Sequence, residues 1–459
     1  MTQVGEFDNV GSTATNVADG FTMIAVGDLM MRRPITKNER NGFGDIAEIL
    51  RSADATFGNL ETNIFDIRAF NGSPQAEHGG SYHVGPPELG PDLKTMGFNL
   101  LALANNHTFD WGVEGTRQTG RVLDQIGIIH AGAGENLAQA GAARYLETAR
   151  GRVALVSFAA TFTPMSRACD PAGEAPGRPG LATLRLTHCI LVPPEMLESL
   201  RRIRKSLPDS ILGRDDGDRV VLAGATFKTG EKVGYSFEPD PRDIRDILRN
   251  VRQGKQFADF LIVTNHGHEP GEWSQEPPDY EQSLAYKLID AGADAYVGHG
   301  PHQLRGIEIY RGRPIFYSLG NFIFDNLQTV EGSDFFSEYG KDPRVDTVAD
   351  LLAHAMNEQQ FQGTEFYESI VTVSRFEQNQ LAELRLFPVE LGYSERLADR
   401  GVPRLAPRPH AEAILARLQR LSKAFGTHII IENGVGVIRV TSSSGVHSIA
   451  CSGRTTDSS

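Results

Sequence analysis

The chain has 459 residues, 22% of them charged and 40% hydrophobic, with a formal net charge of -13. That is enough chain for one large core with an appended lobe or for two domains, in an ordinary globular composition. The acidic balance argues against a nucleic-acid partner, and no stretch approaches the ~18–20 consecutive apolar residues of a membrane span.

Residues 1–20 are polar, with neither a basic start nor an apolar run, so they do not read as a secretory signal. They are expected to be disordered. Cys169, Cys189 and Cys451 are too few for a disulfide framework and read as free thiols. Together these features predict a cytoplasmic protein.

Phe21 to Val26 predicts the first strand, ending in Gly27-Asp28, with Arg32 and Arg33 just beyond. Ile46 to Leu50 has helical spacing. Ala55 to Gly58 predicts a second strand, running into Asn59-Leu60-Glu61. Residues 66–87, which include His78 and His83, read as a long loop, and Glu88 to Met96 as a helix. Asn99 to Ala104 is a third strand, ending in Asn105-Asn106-His107, with a helix over Val113 to Ile126. Strand, polar loop and helix in repetition argue for a parallel sheet with helices on its faces. Ligands in such folds sit beyond the carboxyl ends of the strands, where Asp28, Glu61 and His107 all fall.

Arg152 to Ala159 continues the pattern. Periodicity then weakens, and 161–240 reads as an insertion covering the sheet end, a lid or a substrate wall. Within it, Pro164 to Pro179 is a loop, Glu195 to Leu207 a helix, and Asp215 to Asp218 a charged turn. The basic run at 201–205 (RRIRK) is either a groove for an acidic polymer or a solvated helix face. After a helix over Asp240 to Arg252, Phe260 to Val263 leads into Asn265-His266-Gly267-His268-Glu269. Tyr280 to Ala291 is helical, and Ala295 to Val297 leads into His299-Gly300-Pro301-His302, where two glycines and a proline force a tight turn. Strands are also expected at Ile315 to Ser318 and in two late pairs, Tyr367 to Arg375 with Leu381 to Pro388, and His428 to Ile431 with Val435 to Val440. A helix at Ala411 to Phe425 lies between the pairs, and the tail from Thr441 reads as disordered. Trp111 and Trp273 read as packing anchors.

The five strand-end clusters, in this order, resemble the CapA (poly-γ-glutamate capsule) family. So do Leu288 to Asp294, Gly298-His299-Gly300-Pro301-His302 and Tyr317-Ser318-Leu319-Gly320-Asn321-Phe322. The resemblance runs from about Phe21 to Val440. It implies a calcineurin-like metallophosphatase fold, a four-layer α/β/β/α sandwich with its site at the sheet edge, here carrying the lid-like insertion. The chain has Met30 where a metallophosphatase usually offers His, although the family often has an apolar residue there; it departs from the family at Asn265, where the first His of the fourth cluster is expected, and at Gly300, usually His.

Three functions follow from the resemblance. The first is an enzyme working by side-chain acid/base chemistry on a peptide substrate, best stated as Cα epimerisation without obligatory metal, as in the family's lasso-peptide branch. Asp28 or Glu61 with His299 or His302 would form the acid/base pair. Asn106, His107 and Glu269 would orient them, and Arg32 or Arg33 would hold a carboxylate. The second is a metal-dependent hydrolase of a phosphoester or amide. It would draw ligands for Mn, Fe or Zn from Asp28, Glu61, Asn106, His107, His266, His299 and His302. The third is a non-catalytic role in poly-γ-glutamate synthesis, binding the polymer.

Overall fold

The computed structural model describes residues 15–37, 42–75, 82–208, 214–215, 217–325, 332–357 and 363–440. The expectations for residues 1–14, His78, Cys451 and the tail from Thr441 lie outside the described residues.

The apolar runs become neighbouring parallel strands, Phe21–Met30, Ala55–Leu60, Leu100–Ala102 and Ile129–Ala131. Side chains alternate across a strand, so Met23 and Ala25 face one way and Ile24 and Val26 the other. Helices Gly44–Arg51, Leu89–Met96 and Gly112–Ile126 cover the second face through Ile46, Leu50, Leu93, Met96 and Leu123. On the other flank Asn321–Phe324 pairs parallel to the first strand, and Glu368–Glu377 pairs antiparallel to it. The two late strand pairs complete a ten-stranded sheet.

A second sheet has six strands. Gly151–Ala159, Phe260–His266, Ala295–His299 and Arg313–Phe316 run parallel, with antiparallel strands Arg144–Thr148 and Ile307–Tyr310 at its edges. Helices Pro241–Gln256 and Glu281–Asp290 cover its outer face through Ile247, Val251, Leu284 and Leu288. Between the sheets, Phe21, Phe57 and Leu100 meet Leu155, Ile262, Val297 and Phe316 in one buried cluster. The protein is therefore a mixed α/β chain with several sheets, and its two largest bury a shared apolar seam.

The segment 161–240 is more ordered than its periodicity suggests. Leu186–Val192, Arg214–Asp215, Arg219–Leu222, Ala225–Thr229 and Gly234–Pro239 form their own five-stranded sheet, with helix Pro194–Ser206 against it. Most residues of these strands are only half-buried, which blurs the alternation of apolar and polar positions. The turn expected at Asp215 to Asp218 is part of a hairpin, Arg214 pairing with Val221.

Residues 15–20 also differ from expectation. Val17 is buried in the seam between the sheets, and the Ala18 and Gly20 amides donate to Arg150 O and Phe376 O, each at 2.9 Å. A single apolar residue with two backbone anchors is too weak a signal to stand out in a polar stretch.

Near its carboxyl end the first strand runs against Gly320, whose carbonyl accepts from Asp28 N at 3.0 Å. A Cβ on Gly27 would lie 1.8 Å from that oxygen. Gly27→Ala is therefore expected to lower stability by about 1–3 kcal/mol, read by urea denaturation as a lower midpoint at unchanged slope.

Candidate functional site

Four of the parallel strands present a buried ionisable residue at, near or just past the carboxyl end, towards the seam between the sheets. Asp28 lies two residues before the end of the first strand, and Glu61 follows the second. His266 and His299 close two adjacent strands of the other sheet and are paired in register. All four are 2% exposed or less.

Asp28 Oδ1 accepts from Asn59 Nδ2 at 2.8 Å, and Oδ2 lies 3.4 Å from His302 Nδ1 and 3.3 Å from Gly300 N. His299 Nδ1 stands 3.9 Å from Asp28 and 2.9 Å from His266 Nδ1. On its far side His266 Nε2 is 3.0 Å from His268 Nε2 and 3.6 Å from Glu61 Oε1. The groups fall into two triplets, Asp28 with His266 and His299, and Glu61 with His268 and His302. In each, one ligand atom per residue lies within 4.8 Å of the others.

His302 reaches its place on a strained turn, with φ of 55°. Its Nδ1 is held by Asn321 Oδ1 at 2.8 Å, and its ring packs against Trp273 with centroids 5.4 Å apart. Gly300 has φ of 113°, and a Cβ there would meet Gly267 O at 2.9 Å. The close approach that excludes a side chain at 300 brings in the loop carrying His268.

Electrostatics separate the groups. Burial pushes the Asp28 carboxyl up, but the His302 bond and charge, His299 and the Asn59 amide outweigh it and hold the group below its ordinary value. Burial opposes a charged His302, yet the Asp28 bond and the Glu61 and Asp28 charges raise it to about 10. Burial takes His299 down to about 4, and burial with the surrounding imidazoles drives His266 well below its usual range. Glu61 is driven well up, by burial first and by Asp28 second. Among the described residues neither Glu61 oxygen has a hydrogen-bond partner.

Buried carboxylates are normally satisfied. An unsatisfied one facing imidazole nitrogens that crowd to 2.9–3.0 Å is a donor set that fits divalent cations. The residues present therefore fit the metal that the resemblance implies.

The loop after the third strand forms the flank. Asn105 Nδ2 donates to Asn59 Oδ1 at 3.0 Å, which ties the loop to Asp28. His107 Nδ1 lies 2.8 Å from Asp110 Oδ2, and the His107 ring stacks on His83. Asn106 is buried in the same loop.

The expected orienting residues divide. Glu269 accepts from Thr161 Oγ1 at 3.2 Å, and that hydroxyl takes the His268 amide at 2.8 Å, so Glu269 acts on the site at one remove. Glu269 also faces His188 of the inserted sheet at 3.6 Å. Arg33 does not stand ready for a substrate carboxylate. It pairs with Asp325 at 3.2 Å and donates to Ala398 O. Arg32 lies within electrostatic reach of His83. Trp111 packs with Phe65, Phe70 and Tyr82, the anchor role expected of it.

Asn59, Asn105, Asn321 and His268 were not singled out as site residues from the sequence, though each lies in or beside a quoted strand-end motif. The available signal was their adjacency to buried strand ends.

The model of the bacterial capsule synthesis protein PGA_cap matches residues 22–326. Two proteins of Sinorhizobium fredii, uncharacterized proteins y4sH and y4uA, are each 63% identical over 445 residues, covering 95% of this chain and 96% of theirs. The capsule biosynthesis protein CapA of Bacillus anthracis is 28% identical over 312 residues, 66% of this chain and 60% of that protein. The matched span contains every strand-end cluster described above, and on these grounds the chain belongs to the bacterial capsule synthesis protein PGA_cap family.

Proposed function

We propose that this protein is a metal-dependent hydrolase acting on an amide of a peptide or poly-glutamyl substrate, built on a metallophosphatase-type four-layer sandwich with residues 161–240 as a covering segment. The carrying observation is the pair of carboxylate–imidazole triplets that meet around the unsatisfied Glu61. The glutamyl part of the reading draws on the resemblance to the poly-γ-glutamate capsule family, and the Bacillus anthracis relative is named for capsule biosynthesis.

Asp28, His266 and His299 would hold one cation, and Glu61, His268 and His302 a second. A divalent metal, Mn, Fe or Zn, supplies Lewis acidity that polarises the scissile carbonyl and lowers the pKa of water at the site. The chain does the rest. Asn59 and Gly300 N fix the Asp28 carboxylate, and Asn321 fixes His302. Asp110 holds the proton on His107 Nδ1, which leaves Nε2 free to accept the proton released by the attacking water and pass it to the departing amine. The seam excludes bulk water from all of these groups.

The test uses a γ-linked glutamyl oligomer, with release of new amino groups as the readout. Chelator treatment is expected to abolish turnover, and Mn, Fe or Zn to restore it. Turnover indifferent to chelation, or purified protein that binds none of these cations, overturns the reading.

Epimerisation keeps one supporting observation, the buried Asp28–His302 pair in which a base and an acid sit 3.4 Å apart. Deuterium entering a Cα from D2O in chelator-treated protein would favour it over hydrolysis.

A further inference from the structure

His83 comes from the segment between the second strand and helix Leu89–Met96, and none of the three functions above uses it. Its ring lies parallel to that of His107, with centroids 3.9 Å apart and planes 9° apart. His83 Nδ1 is 3.0 Å from Glu61 O. A carbonyl only accepts, so Nδ1 carries the proton and the tautomer is fixed. The His83 backbone belongs to the same unit. Its amide donates to Asp110 Oδ2 at 2.9 Å, the oxygen that also faces His107 Nδ1. Its carbonyl accepts from Asn63 N at 3.0 Å, while Asn63 Nδ2 donates to His107 O at 2.8 Å.

His107 is thus gripped at its backbone by Asn63, at one ring edge by Asp110, and on one ring face by His83. The first two contacts locate the residue but leave the imidazole able to tilt about its Nδ1 bond. A flat surface against the ring opposes that tilt.

We infer that His83 is a positioning residue for His107, an aromatic plate anchored on the Glu61 carbonyl that fixes the plane in which His107 meets the substrate. The inference rests on the proton-delivery role proposed for His107. Because the anchor is the backbone of Glu61, the plate also ties the orientation of the proton donor to a member of the second triplet.

Three variants separate the plate from the space it fills. His83→Phe keeps a ring and loses the bond to Glu61. His83→Leu fills the volume without a ring, and His83→Gln reaches the carbonyl without a ring. With the γ-linked glutamyl oligomer, kcat is expected to fall about 10- to 100-fold in His83→Leu and His83→Gln, with KM within about 2-fold. His83→Phe should recover most of that loss. A second readout needs no turnover. In protein labelled at histidine Cε1, the His107 resonance, assigned with His107→Gln, should sit upfield in wild type and in His83→Phe. It should move downfield in the two variants without a ring.

Wild-type kcat in both ringless variants, or an unmoved His107 resonance in them, overturns the inference. Should His83→Leu fail to fold, His83→Gln is read alone by the same criteria. Wild-type protein inert on the oligomer counts against the hydrolase reading, and the resonance then decides whether the plate exists.

Discussion

Asp28→Asn is expected to cost at least about 100-fold in turnover and in cation affinity while leaving the fold in place. The carboxamide is nearly isosteric and keeps one oxygen, enough to accept from either Asn59 or Gly300 N, while its NH2 takes the place of the other oxygen. What disappears is the charge. Asp28 is the fully buried carboxylate that touches His302 and faces His299, and it is the anionic member of the first triplet. Without it, the first triplet has no anionic member and Glu61 loses a repelling neighbour. Turnover, calorimetric titration with Mn, and a melting curve on the same sample check the result. A variant that melts normally and still turns over at the wild-type rate would remove Asp28 from the chemistry.

Arg305→Met should cost about 3–5 kcal/mol of stability near pH 8. Arg305 is 1% exposed and donates to the carbonyls of Ser274, at 3.0 Å, and Glu269, at 2.6 Å. Those carbonyls lie in the loop that carries Glu272 and Trp273. Its third partner is Glu281 at 3.5 Å, which also accepts from Tyr296 OH at 2.8 Å.

Burial raises the Glu281 carboxyl to about 7 against the Arg305 charge, from an ordinary value of 4.5. A raised acid binds its proton more tightly in the folded chain, so this group favours folding below pH 4.5. Its contribution is lost as pH rises towards 7, amounting to about 3 kcal/mol over that window. Deleting Arg305 removes the charge that makes an ionised Glu281 tolerable. The gap between wild type and Arg305→Met should therefore be smaller at pH 5 and wider at pH 8. Denaturant titrations at the two pH values measure it, and a gap independent of pH would show that Glu281 is not the coupled group.

Much of this site was legible because of where polarity interrupts apolar runs. FTMIAV followed by Gly-Asp, or AYV followed by Gly-His, marks a buried strand whose next polar side chain must emerge at the carboxyl end. That logic located Asp28, Glu61, His266 and His299 without any knowledge of pairing. It could not say which groups meet. His268 and His302 share a triplet with Glu61 only because the Gly267 and Gly300 backbones touch, a contact between residues 33 positions apart in sequence.

Arg33 looked available in sequence because Asp325 lies nearly three hundred residues away, brought close by the parallel pairing of Asn321–Phe324 with the first strand. The inserted sheet was opaque for another reason. Its strands are short and exposed on much of their surface, so residue alternation carries little contrast.

The two ends of that inserted sheet are neighbours. Leu186 faces Pro239 in register, and Asp240 N donates to Arg185 O at 2.8 Å. The chain thus leaves the scaffold and returns to it through a single gap one hydrogen bond wide. Ancestral gain, exchange or loss of the whole cassette would require the scaffold to re-form no more than one reverse turn. Such an exchange renews the ground around Glu269 and leaves the seam between the two large sheets intact.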